Sequence, residues 1–179
     1  MPNNDNNLLL ASLKHGLGRY RDIIARHWKA SPNLVLALMQ AESAFVETAK
    51  RHEPGYQKRY IGGVKRWDEY AAQHNCYAED IATSYGLMQL MAPTACQYGF
   101  RGHPAGLFDP EVNVLFGARY LEALFRRHYS LNTVIAAYNA GTPRQCADGT
   151  FKNQEYVEKV RHRMYLLESM GIREALGVG

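Results

Sequence analysis

The stretch SPNLVLALMQAESAFV, residues 31–46, decides the fold because it carries a strong helix start and an unusually placed carboxylate. Ser31 is a good N-cap, and Pro32 suits the first helical position because its fixed φ matches the helix and its missing N–H has no partner there. The apolar run that follows predicts a core helix that begins at Pro32 and continues to about residue 47.

Glu42 lies in the middle of the apolar face of this predicted helix. Leu38 and Met39 come one turn before it, and Phe45 and Val46 come one turn after it, so all four share its face. Burying a carboxylate is costly unless the group is paired or stays protonated. A carboxyl group in apolar surroundings therefore suits a general acid. The same pattern also fits a glutamate at the edge of the stripe that reaches water or is held by an arginine.

The rest of the chain predicts more helices and no clear strand. Helical patterns cover residues 8–29, 67–76, 86–91 and 131–140, and two long helices follow Asp109-Pro110 and Asn153, which we expect to act as N-caps. Residues 1–7 are expected to be a flexible lead or cap, and residues 48–66, 99–106 and 142–152 are expected to be loops. The expected apolar stripes are Val114, Ala118, Leu121, Leu124 and Phe125, then Val134, Ala137 and Tyr138, then Val157, Val160, Met164 and Leu167. The sequence thus predicts a single, mainly α domain.

Composition sets broad limits on function. The chain has 179 residues, of which 46% are hydrophobic and 21% charged, as in globular proteins. No apolar run approaches the ~20 residues that a membrane-spanning helix needs. The net charge of +4 is compatible with an anionic partner, but the basic residues are not clustered as in a dedicated nucleic-acid-binding protein. Cys76, Cys96 and Cys146 show no C-x-x-C spacing and are expected to be free thiols, with one disulfide left open.

Two further motifs place polar groups in unusual settings. Gln89 lies among Leu87, Met88 and Leu90, where its amide could hold a sugar hydroxyl, an acetamido group or a backbone carbonyl, or have a purely structural role. Asn139 lies near the end of a predicted helix before Gly141, where asparagine most often serves as a C-terminal cap.

Three motifs in order, ESAF at 42–45, GLMQ at 86–89 and AYNAG at 137–141, resemble those of the lytic transglycosylases with the soluble-transglycosylase catalytic domain. Tyr156, in NQEYV, resembles the tyrosine of that family's fourth motif. The resemblance spans roughly residues 31–165 and implies a goose-type-lysozyme-like helical fold. It also implies cleavage of the MurNAc–GlcNAc β-1,4 bond of peptidoglycan.

The resemblance implies a mechanism with one carboxyl group. Glu42 would protonate the glycosidic oxygen and then accept the proton of the C6 hydroxyl, which closes onto C1 as a 1,6-anhydro ring. The 2-acetamido group would stabilise the developing positive charge, and no metal or other cofactor is expected. By position, the residues expected to line the glycan groove are Ser43, Met88, Gln89, Tyr138, Asn139 and Tyr156.

The chain departs from the compact family pattern between the first two motifs, because Glu42 and Gly86 are 44 positions apart. Such an insertion resembles phage-associated and prophage-encoded members. Glu53, within it, could be a second carboxylate that holds a water and makes the enzyme a hydrolytic muramidase. It could equally be a surface glutamate that is paired with Arg51 or Lys58. A third alternative is a non-catalytic peptidoglycan-binding or phage structural module that keeps the fold.

These interpretations predict an organisation and a setting. Residues 1–30 form a lead and a helix packed on the domain, residues 31–171 form the lysozyme-like catalytic domain, and residues 172–179 form a tail. The expected partner is the peptidoglycan glycan strand, bound by a monomer, with no nucleic acid and no membrane span. Because the first residues lack the basic start and long apolar region of a signal peptide, we expect a phage-encoded or non-classically exported wall enzyme, or a trimmed signal.

Overall fold

The computed structural model describes residues 4–171, apart from the side chain of Asn4, and most of these residues are helical. The mainly α fold class is therefore confirmed. The helices are α1 Asn4–His27, α2 Pro32–Ser43, α3 Pro54–Tyr56, α4 Lys65–His74, α5 Ala78–Ile81, α6 Ala92–Gln97, α7 Pro110–Arg127, α8 Leu131–Ala140 and α9 Gln154–Ser169, with a π-helical turn at Gln57–Ile61 and a 3-10 turn at Pro104–Phe108. The strands are β1 Lys50–His52, β2 Thr83–Tyr85 and β3 Leu90–Met91.

The described chain divides into two compact units. One contains the residues up to Ala41 together with those from Leu121 onward, and the other is Glu42–Tyr120. The division falls inside α2, immediately before Glu42. The domain limits after residues 30 and 171 remain predictions, and the expected tail at 172–179 lies outside the described residues, as do residues 1–3 of the expected lead. Residues 4–7 belong to the first turn of α1, so the prediction of a flexible lead is wrong for these four residues.

In the first unit, α9 packs against both α1 and α8. The predicted stripes of α8 and α9 are buried, and α8 ends as predicted at Gly141, whose φ is 72°. The helix α9 begins just after Asn153, but the side chain of Asn153 does not cap it. Its Nδ2 instead donates to the carbonyl of Ala136 and to Oδ1 of Asn139, both at 3.0 Å.

The helix α7 starts at the predicted cap. Oδ1 of Asp109 accepts hydrogen bonds from the backbone N–H groups of Glu111 at 2.8 Å and Val112 at 3.1 Å, which satisfies donors that the helix itself leaves unpaired. The predicted stripe is buried except at Phe125, which is 39% exposed.

The second unit contains an antiparallel sheet of order β1-β2-β3, which the sequence analysis missed. The strands are only two or three residues long, and every residue of β2 is buried, so no alternating pattern exists to reveal them. The prediction of a helix over 86–91 is wrong, because Gly86 and Gln89 adopt positive φ values of 72° and 47° that a right-handed helix excludes. Pro93 lies in the first turn of α6, a position that proline tolerates well.

The segment between the first two motifs is more ordered than the predicted loop at 48–66. It contains β1, α3 and the π-helical turn, and α4 starts within it. A small apolar cluster of its own supports it: Ile61, Trp67, Cys76, Ile81 and Ala82 are buried together. Among the described residues, no helix combines the length and apolarity required to cross a membrane.

The three cysteines are free thiols, as expected, and differ in exposure: Cys76 is buried, Cys96 half-buried and Cys146 exposed. Burial raises the pKa of the Cys76 and Cys96 thiols. The thiolate is the reactive form, so a raised pKa lowers the reactive fraction at neutral pH.

We expect iodoacetamide to label Cys146 several-fold faster than the other two, as measured by peptide mass spectrometry, and all three to react alike in denaturant. Labelling of Cys76 in the folded protein at the rate of Cys146 would contradict this burial.

Candidate functional site

Glu42 lies one residue before the end of α2. The helix ends at Ser43, four residues earlier than predicted, because Ala44 and Phe45 have positive φ values of 51° and 65°. This conformation costs an L-residue roughly 1–2 kcal/mol. Glu42 itself is half-buried.

The apolar surroundings predicted for Glu42 are confirmed on one side only. Leu38 and Met39, one turn before it, are fully buried. Phe45 and Val46 are not on the same helix, and Val46 is 50% exposed. The predicted helical stripe is therefore wrong beyond Ser43, because the chain leaves the helix directly after that residue.

Ser43 ties the first motif to the second. Its Oγ donates to the carbonyl of Leu87 at 2.9 Å, and this hydrogen bond is buried. The carbonyl of Ala49 accepts from the backbone N–H of Gly86 at 2.8 Å. The structure therefore brings together the ESAF and GLMQ motifs, which are far apart in the chain, and fixes the neighbour of Glu42 to the β2–β3 turn.

Gln89 uses its amide within the protein. Its Oε1 accepts from Ser84 Oγ at 3.0 Å, and its Nε2 donates to the carbonyls of Ala49 at 3.1 Å and Gly86 at 2.9 Å. A primary amide has two N–H donors, so both are engaged. Of the alternatives set out for Gln89, these hydrogen bonds support the structural role. A contact with the sugar stays a prediction.

Asn113, which the sequence analysis missed, holds the same turn from the other side. The residue is fully buried. Its Oδ1 accepts from the backbone N–H of Met88 at 2.8 Å, and its Nδ2 donates to the carbonyls of Tyr85 at 2.8 Å and Leu107 at 2.7 Å. One signal was available: Asn113 immediately precedes the apolar stripe of α7, where a buried polar side chain needs partners.

Two glycines make this arrangement possible. A Cβ on Gly86 would lie 2.6 Å from both Asn113 Nδ2 and the Leu107 carbonyl oxygen, and a Cβ on Gly117 would lie 2.2 Å from Met88 Sδ. The Met88 side chain is therefore packed against Gly117 and fully buried. Since the side chain has no exposed surface, it does not line an open groove in this structure. Its expected contact with the glycan stays a prediction.

Glu53 follows β1 and is half-buried. Its Oε1 accepts a hydrogen bond from Arg51 Nε at 2.5 Å, and its backbone N–H donates to the Ala82 carbonyl at 2.9 Å. The ion pair with Arg51 is the arrangement expected of a surface glutamate, which is one of the two alternatives set out for this residue.

The third and fourth motifs lie in the other unit and are described separately. Tyr138 is buried in α8, and Tyr156 is half-buried in the first turn of α9. Asn139 is exposed and lies within α8 rather than capping it. Its Oδ1 accepts the hydrogen bond from Asn153, a residue with no predicted part in the site, so the AYNAG motif is joined to the start of α9. Within residues 4–171, no group of three or more His, Cys, Asp or Glu residues could hold a metal ion.

The mainly α chain, with Glu42 at the end of α2 beside the β2–β3 turn, is consistent with a lysozyme-like helical fold. The chain matches the family described as Transglycosylase SLT domain over residues 19–156, and it belongs to that family. Members of the family are lytic transglycosylases that act on cell wall peptidoglycan. Comparisons with curated proteins and with solved structures give no match.

Replacing Asn113 tests the importance of the buried anchor. Asn113→Ala removes the three hydrogen bonds of this side chain, and each buried group that the loss leaves unpaired costs about 1–3 kcal/mol. We expect the free energy of unfolding to fall by about 2–4 kcal/mol in urea titrations. Asn132→Ala, on the exposed surface of α8, is the matched control and should change it by less than about 0.5 kcal/mol. Equal midpoints for the two variants would refute the anchoring role.

Proposed function

We propose that this protein is a peptidoglycan lytic transglycosylase that uses Glu42 as its single acid/base and leaves 1,6-anhydro-MurNAc ends. One observation carries the proposal: the hydrogen bond from Ser43 to Leu87 fixes the end of α2, where Glu42 lies, to the GLMQ turn. Membership of a family of lytic transglycosylases supports the reaction class.

The proposed reaction needs one carboxyl group in two protonation states. Protonated Glu42 donates its proton to the glycosidic oxygen as the C1–O bond breaks, and the 2-acetamido group of MurNAc stabilises the positive charge at C1. The Glu42 carboxylate then accepts the proton of the C6 hydroxyl while O6 bonds to C1. The proton balance closes without water, and the carboxyl group returns to its starting state.

The fixed backbone around Glu42 suits this chemistry. Positive φ values occur at Ala44 and Phe45 directly after the Glu42-Ser43 pair, and at Gln89 in the turn bonded to it. Such strain persists only where the surrounding structure enforces it, and it is concentrated at functional sites. A general acid held in one position avoids the loss of entropy that reaction would otherwise require.

The roles proposed for the other motif residues differ according to their contacts. We propose that Ser43, Met88 and Gln89 position the acid through their internal contacts. Tyr138, Asn139 and Tyr156 keep their proposed role as sugar contacts. The monomeric state and the phage- or prophage-associated origin remain predictions.

The products of wall digestion test the reaction class. Purified sacculi digested by the protein should release muropeptides with anhydro ends, which mass spectrometry detects as lighter by one water than reducing ends. Reducing ends would instead identify the hydrolytic muramidase. Binding to sacculi without any release of muropeptides would identify the non-catalytic module.

Matched substitutions test the assignment of the acid. Glu42→Gln removes the transferable proton at nearly constant volume, and we expect wall lysis to slow by about 10²–10⁴-fold. Glu53→Gln makes the same change at the carboxylate paired with Arg51 and should leave lysis close to wild type. Circular dichroism would confirm that both variants are folded. A wild-type rate for Glu42→Gln would remove Glu42 from this role, and loss of lysis in both variants would favour the two-carboxylate mechanism.

A further inference from the structure

A second candidate site lies apart from the motif residues, in the unit Glu42–Tyr120. It is a cleft of about 300 Å³ formed by α4, α6 and the segment that follows α6. Its walls include Arg66, Trp67, Tyr70, Pro93 and Arg101. This volume is at the lower end of the range for small-ligand sites. Because Arg66 and Arg101 are exposed, the cleft is open to solvent.

The lining of the cleft is cationic. It includes two arginines, Arg66 and Arg101, and none of its described lining residues is Asp or Glu. Within residues 4–171, neither arginine pairs with a carboxylate: Arg66 lies over the ring of Trp67, and Arg101 Nη1 donates to the carbonyls of Cys96 at 3.0 Å and Phe100 at 2.7 Å. Two guanidinium groups that lack a carboxylate partner and share a concave site favour an anionic ligand.

The Arg66 guanidinium lies over the ring of Trp67, which is itself packed against Tyr70. Its Cζ lies 4.4 Å from the centroid of the Trp67 ring, and Trp67 is buried. The Tyr70 ring packs edge-on against Trp67 with centroids 5.7 Å apart, and the Tyr70 hydroxyl donates to the carbonyl of Gly102. A stacked guanidinium is pre-organised for a planar, bidentate partner, which a carboxylate provides.

We propose that this cleft binds a carboxylate-bearing ligand, and, resting on the proposed function, that this ligand is the acidic peptide stem attached to peptidoglycan strands. The small volume and the walls of Trp67, Tyr70 and Pro93 suit a short peptide with apolar side chains. A nucleic acid would instead require basic groups spread along a stripe. The protein would then recognise strands that carry peptides in preference to bare strands.

The direct test is binding of a soluble muropeptide, a disaccharide-peptide that is already cut and so needs no catalysis. Isothermal titration calorimetry compares it with the same disaccharide after an amidase has removed the peptide. We expect the peptide to strengthen binding to the wild type by about tenfold or more. Equal affinities for the two ligands would overturn the proposal.

Variants test whether the difference in affinity between the muropeptide and the disaccharide arises from the cleft. Arg66→Gln should remove most of the peptide-dependent affinity, and Arg66→Lys should restore part of it because it keeps the charge but loses the planar contact. Arg59→Gln is the matched control: its guanidinium also lies over an aromatic ring, that of Tyr60 at 5.9 Å, outside the cleft. Melting curves would confirm folding. Equal effects of Arg66→Gln and Arg59→Gln would overturn the proposal, as would competition by a wall phosphate polymer but not by the free peptide.

A cleavage assay separates this proposal from the enzymatic one. Wild-type protein should cut peptide-bearing strands faster than bare strands, and Arg66→Gln should lose this preference while still cutting bare strands. If the wild type cuts neither substrate, the proposed function fails, and the calorimetry alone then decides whether the cleft binds the peptide. If Arg66→Gln keeps the preference, the proposed cleft fails while the enzymatic function stands.

Discussion

The buried amide of Asn113 fixes the turn on which the candidate site depends. With three hydrogen bonds it binds the Met88 N–H and the carbonyls of Tyr85 and Leu107, and buried backbone polar groups need partners of this kind. Because Asn113 belongs to α7, the turn is attached to a long helix with a firm N-cap. The Leu87 carbonyl that accepts from Ser43 lies in this same turn, so the end of α2 is held to α7 through it.

Membership of a sequence motif does not by itself indicate that a residue contacts a ligand, and the GLMQ turn illustrates this. Gly86 provides space for Asn113, Met88 fills the space over Gly117, and the Gln89 amide bonds to Ala49 and Ser84. Each residue type follows from the turn's geometry. Under the proposed function, the turn would support Glu42 through the position of its backbone rather than through exposed side chains, as a one-carboxylate mechanism requires.

Long helices with clear boundaries could be predicted from the sequence, whereas the tertiary hydrogen bonds of the site could not. The Asp109 cap, the α9 stripe and the end of α8 at Gly141 follow from local rules that act within one or two turns. The sheet escaped prediction because its strands are too short for a pattern. The end of α2 at Ser43 escaped it because alanine and phenylalanine rarely adopt positive φ. Both failures occur where hydrogen bonds between distant residues override local preference.

The folded segment between the first two motifs points to a different functional group from the one that its sequence suggested. The sequence indicated Glu53 as a possible second carboxylate of the site, and in the structure this carboxylate is paired with Arg51. The folded segment instead has its own apolar cluster around Trp67, and Arg66, the neighbour of Trp67, lies over that ring at the edge of the cleft. The Glu53 carboxylate, which already has a cationic partner, is less available to an incoming group than the Arg66 guanidinium, which pairs with no carboxylate within residues 4–171. Electrostatics therefore favours recognition of an anionic substrate group, rather than catalysis by a second carboxylate, as the contribution of this segment.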